Sequence, residues 1–100
     1  MTNKIADLSD YQKNINIEFI VLKCIEKNTT KDNDIVRTYL AGDESGRLEV
    51  SVWNEVFLIG DIIYFHDGYT SVFKDKKRLF LSGNGFIRRI GRIRKEFSET

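Results

Sequence analysis

Apolar and polar positions alternate over several short stretches of this chain, and each such stretch predicts a β-strand. Residues 15–25, INIEFIVLKCI, are rich in Ile, Val and Phe and predict a long, largely buried strand. The polar cluster EKNTTKDND that follows predicts a loop. In IVRTYLAG, Val36, Thr38 and Leu40 alternate with Arg37 and Tyr39, and DESG predicts a turn with Gly46 available for a positive φ. GRLEVSVW puts Leu48, Val50 and Val52 on one parity, which should point into a core. Arg47, Glu49, Ser51 and Trp53 take the other, so the only tryptophan shares a face with residues that want water. NEVFLIG is short for a packed helix and predicts a single helical turn, after which DIIYF and LFLSG resume strands. In the closing GFIRRIGRIRKEF, Ile87, Ile90 and Ile93 recur at helical or mixed spacing, which leaves its type open.

Three strands, a short helical link and two more strands predict an all-β fold: a five-stranded Greek-key barrel of the OB type, with the link between the third and fourth strands. Residues 1–100 make one domain, with about 1–12 an N-terminal arm and about 86–100 a basic C-terminal extension. One face of strands 2 and 3 in that fold binds oligonucleotides or oligosaccharides, and Trp53 would close strand 3 on that outward face. The bland reading of Trp53 is a plug at a barrel end, partly covered by a loop.

DIIYFHDGYTSVF raises a question of parity. Ile63 and Phe65 point inward, and Tyr64 and His66 outward. Unbroken alternation then sends Tyr69 and Phe73 into the core. A bulge at Gly68 instead flips the parity: Thr70 and Val72 face the core, while Tyr69 and Phe73 join Trp53 on one surface beside the basic 74–78 run.

Composition narrows the picture. Apolar residues at 41% and charged residues at 31% fit a soluble globular chain. No apolar run has the length of a membrane span, and the N-terminus lacks the apolar centre of a signal peptide, which predicts an intracellular protein. A single cysteine, Cys24, excludes an internal disulfide and predicts a small hydrophobe in a strand. Net charge is only +1, but residues 73–95 hold nine bases and one acid, Asp75, so this end carries +8 against −7 for the rest. That is the footprint expected for a polyanion partner, although a solvated hairpin with a basic tail has the same composition.

Aromatic and basic side chains on one strand face suit single-stranded nucleic acid. Every base offers a π-face, stacking contributes about 1–3 kcal/mol per base, and Lys or Arg neutralise phosphates. A duplex hides its bases in its own stack. The candidate stacking residues are Trp53, Tyr69 and Phe73. The candidate backbone contacts are Lys31, Arg37, Lys74, Lys76, Lys77 and Arg78, with Arg88 and Arg89 further along the basic end. Arg37 has the outward parity in its strand and could equally pair with Glu49. Catalysis is not expected: His66 beside Asp67 reads as a surface hydrogen bond, no Cys–His cluster has metal-ligand spacing, and SGNGF lacks a P-loop lysine. The glycines of SGNGF should bend the last strand. No metal and no cofactor are predicted.

The motifs SVW, GDII and GYTSVFK, in that order and nearly at family spacing, resemble the single-OB-fold single-stranded DNA-binding proteins: the DNA-binding OB-fold component of the SOSS (sensor of single-stranded DNA) complex and its archaeal relatives. The likeness runs from NINIEFIVL through DIVRT and LSGNG to IRRIG, nearly the whole chain. It implies that Trp53, Tyr69 and Phe73 stack on bases, that Lys74 and Lys31 meet phosphates, and that the bulge at Gly68 is present. It also implies a role in DNA repair and genome maintenance, in the nucleus of a eukaryote or the cytoplasm of an archaeon. Three features depart from the pattern. Leu81 stands where the animal proteins have a further tyrosine, leaving Phe80 or the longer KDKKRLF segment to compensate. Arg92 and Ile93 follow Ile90-Gly91 where the family has an acid and a phenylalanine in its scaffold-docking patch, and that charge reversal speaks against a scaffold partner of the SOSS type. The family's long flexible tail is not part of these 100 residues, which suits a short member and a trimmed chain equally. Two other readings use the same aromatics: an OB-fold protein-interaction module within a larger complex, and a binder of single-stranded RNA.

Overall fold

The computed structural model describes residues 2–93; Met1, Arg94, Lys95 and the remainder of the basic extension lie outside the described residues. After a 3-10 turn at Ile5–Asp7 come β1 (Ile15–Thr29), β2 (Ile35–Asp43), β3 (Gly46–Trp53), β4 (Asp61–Phe73) and β5 (Lys76–Arg92). They close a barrel in the order β1-β2-β3-β5-β4. β3 and β5 pair in parallel, and the other pairs, including β1 with β4, are antiparallel. This is the all-β Greek-key barrel that the strand spacing predicts.

β1 serves two neighbours. Its first part pairs with β4 and its second with β2, and the register slips beside Leu22 and again beside Ile25. Each extra residue bends and twists the strand, which turns one long strand around the barrel. Ile15, Ile17, Phe19 and Val21 alternate into the core, while residues from Lys23 onward are exposed. The expected burial therefore holds for the first half only, and Cys24 is in the strand but exposed. Leu48, Val50 and Val52 are buried as their parity predicts, and Phe19 packs edge-on against Phe65 at 5.3 Å.

The N-terminal arm closes one end. Ile5 and Leu8 are each 4% exposed. The Ile5 amide donates to Asp43 Oδ2 at 2.9 Å, and the Gln12 amide to Thr70 Oγ1 at 2.9 Å. Asp43 also closes the β2–β3 turn by accepting from the Ser45 and Gly46 amides, so Gly46 enters β3 without a positive φ.

Three expectations are corrected. The link between β3 and β4 carries no helical turn; residues 54–60 form a bend, an irregular run and a turn. Its amides are spent elsewhere: Phe57 N donates to the Tyr39 hydroxyl at 3.0 Å and Leu58 N to Asp61 Oδ2 at 2.8 Å. Second, Tyr39 is in the core, 5.1 Å from the Phe57 ring. Arg37 shares its parity, so it does not face outward; its guanidinium donates to the Glu55 carbonyl at 3.2 Å. Third, Glu26–Thr29 of the polar cluster continue β1 instead of forming a loop, because Ile35–Thr38 offer them a pairing edge; the closing segment, whose type the spacing leaves open, is strand as far as Arg92, paired with Asp61–His66.

Asp61 fastens the start of β4 to the end of β5. It is 3% exposed, and Arg92 Nε donates to its Oδ1 at 2.7 Å, with Arg89 at 3.9 Å. Burial opposes its ionisation, but the Leu58 amide, Arg92 and Arg89 outweigh burial and hold the carboxyl below its ordinary value; Asp43 is lowered too, burial again being outweighed by the Ser45 side chain and three amides. A depressed carboxyl stabilises the fold above the unfolded-state pKa of about 4, and that contribution is lost as pH falls through the lower folded value. Thermal midpoints should be level from about pH 7 to 5 and fall below about pH 4. Asp61→Asn should lower the midpoint at pH 7 and shrink the acid-side fall, as followed by circular dichroism.

Candidate nucleic-acid interface

The parity question is decided by a bulge. His66 pairs with Phe86 but Gly68 pairs with Leu81, so Asp67 on β4 and Ser82–Gly85 on β5 are looped out of the ladder. The positive φ falls on Asp67, at 63°, and not on Gly68. Gly68 serves close approach: a Cβ there would sit 3.0 Å from the Phe80 carbonyl oxygen. Beyond the bulge Gly68 and Thr70 face inward, and Tyr69 and Phe73 face outward. The β4–β5 hairpin then turns through Lys74 and Asp75, both at positive φ (52° and 66°), the two-residue turn that matches strand twist.

This register sets three rings in a row across adjacent strands. Trp53 ends β3 and is 50% exposed. Phe80 of β5 lies 6.3 Å from it, and Tyr69 of β4 stacks on Phe80 at 5.4 Å with planes 22° apart. Beside the row, Phe73 is 43% exposed under the Arg78 guanidinium at 4.7 Å and near Lys74 Nζ at 5.3 Å. Trp53, Phe73, Phe80 and Arg78 enclose a groove of 210 Å³. Thr38 and Ser51 form its floor, buried and joined hydroxyl to hydroxyl at 2.7 Å, so two polar side chains face the sheet surface without an unpaired group.

The pattern of residues alone does not single out Phe80 as a ring of this row. Its signal is the alternation in RLFLS: Leu79 is fully buried, and Arg78 and Phe80 take the other face. Leu81, at the position of the family's extra tyrosine, packs against the core.

The basic residues are not one patch. Lys74, Lys76 and Arg78 flank the groove. Arg78 is engaged, however: its Nε and Nη2 donate to Glu49 Oε1 at 3.2 and 2.7 Å, with Glu26 at 3.8 Å. Lys76 is 72% exposed with Glu49 at 3.7 Å. Lys31 stands in the exposed turn between β1 and β2, whose flanking Asn28 and Val36 line the groove. Lys77 points to the other side and donates to the Leu8 carbonyl at 2.5 Å. Arg88 lies over Phe86 at 5.5 Å, in a separate cluster with His66 and Tyr64, and Arg89 faces Asp61. Among the described residues no three His, Cys, Asp or Glu side chains are grouped to hold a metal ion, and no helix is long and apolar enough to cross a membrane.

A closed five-stranded Greek-key barrel with an exposed aromatic row defines an OB-fold domain. Several solved structures similar to it are OB domains. The OB domain of a Thermoplasma acidophilum protein matches 89% of this chain over 86% of its own, at TM-score 0.74 and 14% identity. A domain of replication protein A from Methanococcus maripaludis matches 92% of this chain over 98% of its own, at TM-score 0.74 and 20% identity. A murine DNA-binding protein, solved with double-stranded DNA, matches 93% of this chain over 49% of its own, at TM-score 0.70 and 22% identity. No family model matches the chain. At these identities the likeness establishes the fold.

Proposed function

We propose that this chain binds single-stranded nucleic acid, DNA foremost, with little sequence preference and without catalysis. The observation that carries this reading is the ring row Trp53–Phe80–Tyr69, partly exposed over three neighbouring strands with lysines beside it. Bases can stack on the ring faces that this row leaves open, at Trp53 and Tyr69 above all, with Phe73 as a flanking contact. Lys74, Lys76 and Lys31 are placed to meet phosphates. Arg78, held by Glu49, fixes the Phe73 ring from above and acts as a positioning residue. The likeness of SVW and GYTSVFK to single-OB-fold DNA-binding proteins and the archaeal replication protein A neighbour both support DNA as the partner and genome maintenance as the setting.

One OB fold covers about 4–16 nucleotides, so a single copy should bind modestly. The test is a tryptophan-fluorescence titration with oligo-dT, oligo-U and a matched duplex at two salt concentrations. Quenching by oligo-dT that weakens with salt, a smaller response to oligo-U and little response to duplex is the expected result. A stronger duplex response would move the reading toward the double-stranded mode of the murine neighbour. No response from a folded protein at low salt would leave the aromatics as anchors for a protein partner.

A further inference from the structure

The ring row ends at Tyr69, and next to Tyr69 lies a slot of 260 Å³ lined by Lys13, Asn14, Asp67, Gly68, Tyr69 and Ser82. Phe80 does not line it, so the slot opens on the far side of Tyr69 from the row. Its walls are mostly apolar, which suits the flat face of a base. Two residues of this lining, Asp67 and Ser82, carry polar side chains. The Asp67 side chain has no hydrogen bond or ion pair among the described residues; only its backbone amide is engaged, with Asn16 Oδ1 at 3.0 Å. Ser82 Oγ is buried and has no hydrogen-bond partner among the described residues. A buried hydroxyl without a partner is costly, and a rotation about χ1 together with a ligand acceptor would recover that loss. Both residues line the slot because of the bulge: Asp67 is the extra residue of β4, and Ser82 opens the segment looped out of β5.

We propose that this slot reads one nucleobase, admitting a base with an exocyclic amino group and disfavouring thymine and uracil. The inference rests on the single-strand reading and adds one selective position to an otherwise tolerant track. The base would stack on Tyr69 and present its hydrogen-bonding edge to Asp67 and Ser82. An ionised carboxylate only accepts hydrogen bonds, so it pairs with the N4 amino group of cytosine and its counterparts on adenine and guanine. The Ser82 hydroxyl can donate to the adjacent ring nitrogen of cytosine. Thymine and uracil would turn O4, an acceptor, toward the carboxylate, and a carbonyl facing a carboxylate is repelled. Lys13 at the rim supplies a cation for the neighbouring phosphate.

The test is anisotropy with labelled oligo-dC, oligo-dT and oligo-dU of equal length at fixed salt. The wild-type chain should bind oligo-dC about five- to tenfold tighter than oligo-dT, with oligo-dU resembling oligo-dT. Asp67→Asn keeps a residue that tolerates positive φ, so it should fold. Losing an acid should strengthen binding to all three, which is why the ratio is the readout; it should fall to within about twofold. Ser82→Ala should lower the ratio in part without lowering the thermal midpoint, because the hydroxyl it removes has no partner. Equal affinity for oligo-dC and oligo-dT in the wild type, or an unchanged ratio in Asp67→Asn, would overturn the slot while leaving the ring row standing. Oligo-dU that binds like oligo-dC would overturn it as well, since exclusion of the thymine methyl would then explain the preference. Failure of every oligo to bind would instead reject the single-strand reading itself.

Discussion

Trp53→Ala is expected to weaken oligo-dT binding about five- to 150-fold, the loss of one base-stacking contact of about 1–3 kcal/mol. The fold should survive it. Trp53 is the last residue of β3, pairs with Val36 at the edge of the ladder and is half exposed, so its removal opens no core cavity. Its ring neighbour is Phe80 at 6.3 Å, which leaves Trp53 surface free for a base. Stacking does not release counterions, so the loss should be the same at low and high salt. Lys74→Ala should behave differently: a smaller loss that fades with salt, and a salt slope shallower by about 0.7 if Lys74 meets one phosphate. Tyr11→Ala is the control, because Tyr11 is 72% exposed but outside the row. If Trp53→Ala binds as the wild type does by anisotropy, the row is not the interface.

Gly85→Ala carries the largest expected effect on stability. A Cβ at residue 85 would press on the His66 carbonyl oxygen and lie 2.8 Å from that of Asp67. Both are backbone atoms of the bulge, which cannot rotate away as a side-chain end can. Overpacking of this kind costs about 1–3 kcal/mol, or a fall in thermal midpoint of roughly 4–8 °C per kcal/mol in a domain of this size. Gly83→Ala, two residues away in the same looped-out segment, should leave the midpoint unchanged, because a Cβ there meets nothing within 4 Å. A Gly85→Ala chain as stable as Gly83→Ala would mean that the bulge yields freely. If the bulge sets the platform, the Gly85→Ala chain should also bind oligo-dT more weakly than its residual folded fraction accounts for, since Tyr69 owes its outward parity to that slip.

Much of this was legible in the residues. Leu48, Val50 and Val52 alternate with Glu49, Ser51 and Trp53, and that local pattern placed the aliphatic trio inside and Trp53 outside. The number and order of strands followed from apolar runs and turn residues. GYTSVFK was harder to place, because its faces depend on one slipped residue; the slip exists, but the positive φ sits on Asp67 and the glycine serves close packing. The β2 faces were misassigned for a comparable reason. Tyr39 reads as a polar-edged residue with Arg37, yet its hydroxyl finds the Phe57 amide and its ring fills the barrel end.

The sequence by itself determined the strand inventory, the inward faces of β3 and of the first half of β1, and a set of aromatic and basic residues suited to single strands. Those properties are local, since side-chain alternation along a strand has a period of two. Tertiary structure alone decided which rings meet and which bases are free. The parallel pairing of β3 with β5 brings Phe80 between Trp53 and Tyr69. The same pairing delivers Arg78 to Glu49, while the hairpin register sends Lys77 to the arm and Arg88 to a different cluster. Composition counts nine bases at one end of the chain, but strand parity and neighbour order distribute the seven that the structure describes around the barrel. Those two properties arise from bulges and closure, which join residues far apart in the chain.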